Sequence, residues 1–363
     1  MLKIFLWGTG YIAEKLWNEC QTLNQYELLG FIDNNSKKQG NIFKGLKIYS
    51  PNILRECEVD YIVILTDFYD EIYQQIIDVY PEKKDIIVNK NFFYQRSLLK
   101  RYEGVVDPEK AEVLNYIKNN GLDIFNYKFS KKYKNILIEL HFDIENGMYY
   151  TIYENKRLYF SKKLDCKKKI VDYYRYILME QDPLSPHRYL TDTFKVEDGD
   201  VVVDVGAAEG NFSLEVVDKV SKLYIIETDI DWINALKLTF KDYLDKVIII
   251  QKFISSYDDD NFVTLDSLLH ESVNFIKMDI EGNEWDALQG AKELIRRSKK
   301  LKCAICSYHS DFDKILIENF MDQNNLNHFT SDGYIWFPLT VRQNYVSTCL
   351  NRAIVRGEKG NHI

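Results

Sequence analysis

Glu227, Asp279, Glu281 and His309 each stand at or just beyond the end of a short apolar run, where a carboxylate or an imidazole could meet a ligand. A glycine turn, Gly206-Ala207-Ala208-Glu209-Gly210-Asn211-Phe212, follows the run Val201-Val202-Val203-Asp204-Val205 and leads into a helical pattern. An open parallel sheet takes its ligand outside the carboxyl ends of its strands. Such a site needs a glycine turn that admits backbone close to the ligand, an acid after the second strand for ribose hydroxyls, and polar groups closing later strands. All are present. The turn is Gly206-x-x-x-Gly210 behind an aspartate, not the Gly-x-Gly-x-x-Gly that leads to a pyrophosphate. That difference favours S-adenosylmethionine, which has no phosphate but carries an amino-acid tail and a sulfonium. Glu227 would hold the ribose hydroxyls, and Asp204, Gly206 and the backbone through Phe212 would line the methionyl part.

A second pattern sits at the front of the chain. Gly8-x-Gly10-x-x-Ala13 lies between a strand and a helix, as in a dinucleotide fingerprint whose backbone amides meet a pyrophosphate. Asp33 follows where that fingerprint places an acid, about 20 residues on. Gly8, Gly10 and Asp33 are therefore candidates for a nucleotide or nucleotide-sugar ligand. The plainer reading is a tight turn and the start of a polar loop. Sugar oxidation is disfavoured, because Tyr-x-x-x-Lys occurs only at Tyr11/Lys15, within the first helix, and at Tyr80/Lys84, across Pro81.

The elements that must position these residues alternate between strand and helix in both halves. In front, strands are expected at Lys3 to Trp7, Tyr26 to Ile32, Asp60 to Leu65 and Ile86 to Val88, with helices from Tyr11 to about Leu23 and over Tyr69 to Val79. At the rear, strands are expected at Val201 to Val205, Leu223 to Ile226, Val247 to Gln251, Asn274 to Met278 and Leu301 to Cys306. Two late strands, around Tyr334 to Phe337 and Thr348 to Val355, would add an antiparallel edge. Between the halves, Val113 to Lys118 and Ile170 to Gln181 read as helices, and Ile136 to Ser161 as an antiparallel meander. The fold class is thus α/β, with two Rossmann-like doubly wound domains. The expected division is 1–100, a connecting stretch 101–190, and 191–363.

Composition narrows the function. The chain has 363 residues, 46% hydrophobic, with a formal net charge of -8, so disorder and a broadly basic nucleic-acid surface are both disfavoured. No apolar stretch is long enough for a transmembrane segment, and the opening run is too short for a signal peptide. Scattered cysteines fit reduced thiols in a cytoplasmic protein, and Cys303-x-x-Cys306 reads as buried strand, not as half of a zinc site. Lys162, Lys163, Lys167, Lys168 and Lys169 are read as a solvated loop.

The front segment, through Trp7-Gly8-Thr9-Gly10, Gly30-Phe31-Ile32-Asp33-Asn34 and Gly45-Leu46-Lys47-Ile48, resembles the small Rossmann-like domains of bacterial polysaccharide-biosynthesis enzymes that hold nucleotide sugars. The rear segment, through Asp204 to Phe212, Thr264-Leu265-Asp266, Phe275 to Trp285 and Leu288-Gln289-Gly290-Ala291, resembles the FkbM family of class I S-adenosylmethionine-dependent methyltransferases. It departs at Thr228, where the family usually has proline. The resemblance implies O-methylation of a sugar hydroxyl, free, nucleotide-linked or polymer-linked, in surface polysaccharide biosynthesis. The expected cofactor contacts are Asp204, Gly206, Ala207, Ala208, Glu209, Gly210, Asn211, Phe212, Glu227, Thr228, Phe253, Ile254 and Asp279. His309 is the expected general base, with Asp279 and Glu281 as alternatives or as a site for Mg²⁺. His187, Tyr189 and Tyr308 would face the acceptor. A homo-oligomer is compatible with the sequence. The competing readings are an NAD-dependent sugar-nucleotide oxidoreductase using the front domain and a non-catalytic assembly protein.

Overall fold

A computed structural model describes residues 1–20, 22–310, 312–338 and 349–360. Its described residues form two compact units, one of residues 1–126 with 349 and the other of residues 127–338 with 350–360. The stretch expected as a connector, 101–190, is shared between these units.

The front unit is built on Lys3–Trp7 (β1), Glu27–Ile32 (β2), Ile42–Phe43 (β3), Leu46–Tyr49 (β4), Tyr61–Ile64 (β5) and Ile87–Asn89 (β6), ordered β3-β4-β2-β1-β5-β6. All pairings are parallel except β3 with β4. Its central strands are unbroken apolar runs because both faces are covered. Ile4 and Leu6 pack on one side and Phe5 and Trp7 on the other. The helices are Tyr11–Glu19 (α1), Tyr69–Val79 (α2), Phe92–Arg101 (α3) and Pro108–Asn120 (α4). The short hairpin β3–β4 is not evident in the sequence pattern, being only a few residues long.

The rear unit begins with a short helix, Lys131–Lys134 (α5), and a meander of His141–Asp143 (β7), Met148–Tyr153 (β8) and Lys156–Tyr159 (β9). Helix Lys167–Glu180 (α6) leads toward the main sheet. The sheet strands are Val201–Val205 (β10), Lys222–Glu227 (β11), Val247–Gln251 (β12), Phe275–Met278 (β15), Leu301–Cys306 (β16), Asn327–Thr330 (β17) and Ile354–Lys359 (β18). Between β12 and β15 lies a two-residue pair, Phe253–Ile254 (β13) and Phe262–Val263 (β14). The order is β12-β11-β10-β15-β16-β18-β17, parallel through β16 and antiparallel at the β18 and β17 edge. Its helices are Asn211–Val216 (α7), Ile230–Thr239 (α8), Leu265–Leu268 (α9), Glu284–Gln289 (α10), Lys292–Arg297 (α11) and Asp313–Gln323 (α12).

The meander packs on the sheet's helical layer: Met148 and Tyr159 bury against Ala235 of α8, and Thr239 Oγ1 accepts from Tyr159 N at 3.1 Å. The antiparallel edge is present, but its strands differ from those expected. Tyr334 to Phe337 is not a strand; Ile335 makes only an isolated bridge to Asn351. The edge is Asn327–Thr330, whose alternating exposure leaves no apolar run for a sequence pattern to detect. Thr348 lies outside the described residues. Among the described residues, no helix is long and apolar enough to cross a membrane.

Candidate functional site

The carboxyl ends of β10, β11 and β15 converge on one crevice. Sheet order reverses direction between β10 and β15, and such a reversal opens a cleft above the strands. Three backbone features shape it. Gly206 N donates to Ile226 O at 2.9 Å, and Asp279 N donates to Val205 O at 3.0 Å, which ties the three strand ends together. Gly206 has φ +77, and a Cβ there would stand 1.9 Å from Asp279 O, so no other residue fits. Glu227 is fixed by local amides: Oε2 accepts from Ala208 N at 2.8 Å, and Oε1 from Thr228 N at 2.6 Å and Asp229 N at 2.9 Å.

The resulting cavity, about 430 Å³, is lined by Gly206, Ala208, Glu227, Thr228, Phe253, Ile254, Asp279 and Glu281 among the residues expected from sequence. It also takes Asp229, Trp232, Lys252 and Asn283, which sequence reading did not single out. The signal for Trp232 was available, since it lies in the first turn of the helix after the ribose acid. Four acids in the wall, Glu227, Asp229, Asp279 and Glu281, face one lysine, Lys252, which donates to Asp260 O at 3.2 Å. A cavity so lined suits a ligand bearing positive charge and lacks the cations that would hold a pyrophosphate.

Other expected contacts lie behind the cavity wall. Asp204 does not reach it: fully buried, the side chain pairs with Lys277 Nζ at 3.0 Å and accepts from Ser213 Oγ at 2.7 Å. Asp204 and Lys277 are register partners on adjacent strands, so the pair forms wherever these strands align. Lys277 also donates to Gly206 O at 2.5 Å, which places a buried cation directly beneath the turn. Glu209 turns away and accepts from Tyr173 on α6. Burial raises its pKa to about 7 despite that hydrogen bond. Ala207, Gly210, Asn211 and Phe212 are not among the cavity's lining residues either. Gly210 is left-handed at φ +83, with Leu236 where a Cβ would go, and Phe212 packs edge-on against Tyr189.

Asp279 links the cavity to a second cluster. Its Oδ2 accepts from Tyr189 OH at 2.8 Å, and Tyr308 OH lies 3.4 Å from both its oxygens. His187 Nε2 is 3.7 Å from Oδ2, and His309 Nε2 is 3.5 Å from Oδ1. Burial works against the Asp279 carboxylate, but His309, Lys277, His187 and the Tyr189 hydrogen bond hold its pKa well below the usual carboxylate range. His187 is buried and sits 3.0 Å from Tyr308 OH; burial lowers its pKa to about 4, so it is neutral at neutral pH. His187, Tyr189 and Tyr308, expected to face the acceptor, and His309, expected as the base, meet around one carboxylate, but all four are buried and none is among the cavity's lining residues.

The role expected of His309 needs correction. Its Nδ1 is 3.1 Å from Glu284 Oε1, so both ring nitrogens face carboxylates. Burial opposes the imidazolium, but the hydrogen bond and charge of Glu284, with Asp279 and Asp313, outweigh it and raise the pKa to about 9. At neutral pH His309 already carries its proton and is no free base. Glu281 is exposed, and among the described residues the groups of three clustered potential ligands, Asp279 with Glu284 and His309, and Asp279 with His187 and Cys306, do not include it. Mg²⁺ prefers oxygen ligands, whereas each group here supplies a nitrogen. His309's two nitrogens also face different acids, the arrangement of an imidazolium bridge and not of a chelate.

In the front unit, Gly8, Gly10 and Asp33 line a cavity of about 390 Å³ with Thr9, Lys38 and Thr66. Gly8 has φ +110 and Leu65 O 2.9 Å from where a Cβ would stand, whereas Gly10 has open space around it. Asp33 already has partners on both oxygens. Thr9 Oγ1 donates to its Oδ2, Lys38 Nζ lies 3.1 Å from the same oxygen, and Asn35 N donates to Oδ1 at 2.9 Å.

Comparison with known proteins follows this division. Residues 1–87 match the family described as C2185-like, N-terminal, a description that names no ligand, and residues 147–325 match the Methyltransferase FkbM domain. No curated protein matches the chain. Among solved structures, the methyltransferase FkbM from Methylobacillus flagellatus KT is similar at 15% identity and a TM-score of 0.48, over 98% of this chain and 90% of that one. Precorrin-6y C5,15-methyltransferase from Geobacter metallireducens GS-15 is similar at 12% identity and a TM-score of 0.33, over 45% of this chain and 82% of that one. An rRNA methylase from Streptococcus thermophilus has 16% identity and a TM-score of 0.33, over 46% and 90%. Residues 147–325, just under half of the chain, thus match the Methyltransferase FkbM domain, and that match supports S-adenosylmethionine-dependent methylation.

Proposed function

We propose that the rear unit methylates a hydroxyl oxygen of a sugar, in the building of a surface polysaccharide. The observation that carries this reading is Asp279: one carboxylate that borders the acid-lined cavity and is also held by Tyr189 and flanked by His187, Tyr308 and His309. A hydroxyl needs a proton acceptor at the point of transfer, and Asp279, held by the buried Tyr189 and Tyr308, is a carboxylate at the cavity wall that can serve as one.

S-adenosylmethionine supplies an electrophilic methyl group bound to a positively charged sulfur. Glu227 would receive its ribose hydroxyls, Trp232, Phe253 and Ile254 its base, and the Gly206 turn its amino-acid tail. The acids of the wall favour that positive charge. Tyr189 and Tyr308 orient Asp279, and buried Lys277 keeps the carboxylate ionised from below.

For the front unit, the cavity at Gly8, Gly10 and Lys38 supports a nucleotide-bearing ligand, the lysine facing its phosphates. The test of the main reading is transfer of a tritiated methyl group from S-adenosylmethionine to a panel of hexoses and their nucleotide-linked forms. Label in the sugar, stable to mild base that would hydrolyse a methyl ester, is the expected result. Label only in a carboxylate or amine acceptor would overturn it.

A further inference from the structure

Glu284, at the opening of α10, has more than a capping role. It opens α10 at 0% exposure, and its Oε1 accepts from Ile280 N at 2.9 Å, as a cap would. The same oxygen also lies 3.1 Å from His309 Nδ1, while Oε2 has no hydrogen-bond partner among the described residues. A carboxylate buried this completely is costly unless a charge answers it. His309, only 2% exposed and closed over by Phe337 at 5.5 Å between ring centroids, is that charge. Its other nitrogen, Nε2, points to Asp279 Oδ1 at 3.5 Å. The line Glu284, His309, Asp279 thus runs from the start of α10 through the end of β16 to the cavity wall.

We propose that Glu284 and His309 are positioning residues that hold the Asp279 carboxylate at the cavity wall, where Asp279 receives the proton of the acceptor hydroxyl. The proposal rests on the methyl-transfer reading above. The acceptor oxygen bonds to the methyl carbon while the methyl–sulfur bond breaks, leaving its electron pair on sulfur, and the hydroxyl proton passes to an Asp279 oxygen. A weakly basic carboxylate suffices, because the hydroxyl becomes a strong acid as its oxygen is alkylated. His309 does not take this proton; it already holds one and lies between the two acids.

The groups that face this line come from every neighbouring element. Lys277 of β15 and His187 and Tyr189 of the lead-in face Asp279, together with Tyr308 and Cys306 at the end of β16 and Glu180 at the end of α6. Asp313 of α12 faces His309. Among these, Lys277 and the imidazolium are the cations, which explains why removal of the Glu284 charge would be felt at Asp279. His309's raised pKa, about 9, agrees with the geometry.

Histidine-selective NMR titration of the full chain, wild type against Glu284→Gln and Glu284→Asp, reads the first half of the proposal without an acceptor. Wild-type His309 should titrate well above an ordinary histidine. Glu284→Gln should lower the midpoint by more than about one pH unit, and Glu284→Asp, which keeps the charge, by less. A wild-type midpoint near the ordinary value, or one insensitive to Glu284→Gln, overturns the pairing. Turnover reads the second half, with tritiated-methyl S-adenosylmethionine and neutral hexoses. Glu284→Gln should reduce kcat at least roughly tenfold while KM for S-adenosylmethionine stays within about twofold, with the alkaline limb moved to lower pH and Glu284→Asp recovering part of the rate. Unchanged kcat, or equal losses in both variants with cofactor affinity also lost, shows a merely structural role. A wild type that binds no S-adenosylmethionine defeats the methyl-transfer reading instead, and the titration still decides the Glu284–His309 pair.

Discussion

The two units place a crevice at the same topological position; acids outnumber lysines in both, Asp33 and Asp67 against Lys38 in front and four acids against Lys252 at the rear, and the difference lies in what partners the acid after the second strand. In front, the acid after the second strand, Asp33, is occupied by Thr9 and Lys38, so the crevice carries a lysine at its rim. At the rear, the equivalent acid, Glu227, is satisfied by three backbone amides, and the cavity keeps its surplus of carboxylates. Even the lysines differ: Lys38 has 43% of its side chain exposed, whereas Lys277 has 4% and lies under the turn. Topology decides where a ligand can approach. What separates the two crevices is the partner that each acid finds.

The sharpest way to break this comparison is to add one methyl group to each turn. Gly206→Ala would force a Cβ onto Asp279 O from a left-handed backbone and should cost more than about 3 kcal/mol of rear-unit stability, abolishing cofactor binding. Gly10→Ala meets open space at φ -96 and should stay within about 0.5 kcal/mol. Urea titration monitored by tryptophan fluorescence and circular dichroism separates them; comparable losses would mean that the turns are under the same constraint.

A second contrast, of similar size in the rear unit, comes from the two ion pairs. Lys277→Met leaves Asp204 buried without its cation and should cost about 3–5 kcal/mol. Lys38→Met removes a solvent-screened pair and should cost about 0–1 kcal/mol. Equal shifts in the denaturation midpoint would contradict the assignment of one pair to the core and the other to the surface.

Sequence patterns revealed the sheet centres well and their margins poorly. β10, β12 and β16 coincide with the expected runs because buried parallel strands are unbroken apolar stretches. β3, β4 and the polar edge strand β17 carry no such signal. The same limit applies at the site. Glu227 and Asp279 were legible because strand ends point at a ligand in this architecture. Asp204 was assigned to the ligand although it pairs sideways with Lys277, a contact that becomes visible only once the register of β10 and β15 is known. Glu284 drew no role at the site from the sequence because its partner, His309, is near in space and distant in sequence. His309 read as a base for the same reason, since a lone histidine's ordinary pKa says nothing of two carboxylates folded against it.

Calorimetric titration of S-adenosylmethionine into the full chain tests the central claim most directly. The account predicts one-to-one binding that Glu227→Ala abolishes and Asp33→Ala leaves unchanged. Absence of binding by the wild type, or a loss on Asp33→Ala with Glu227→Ala unaffected, would contradict it.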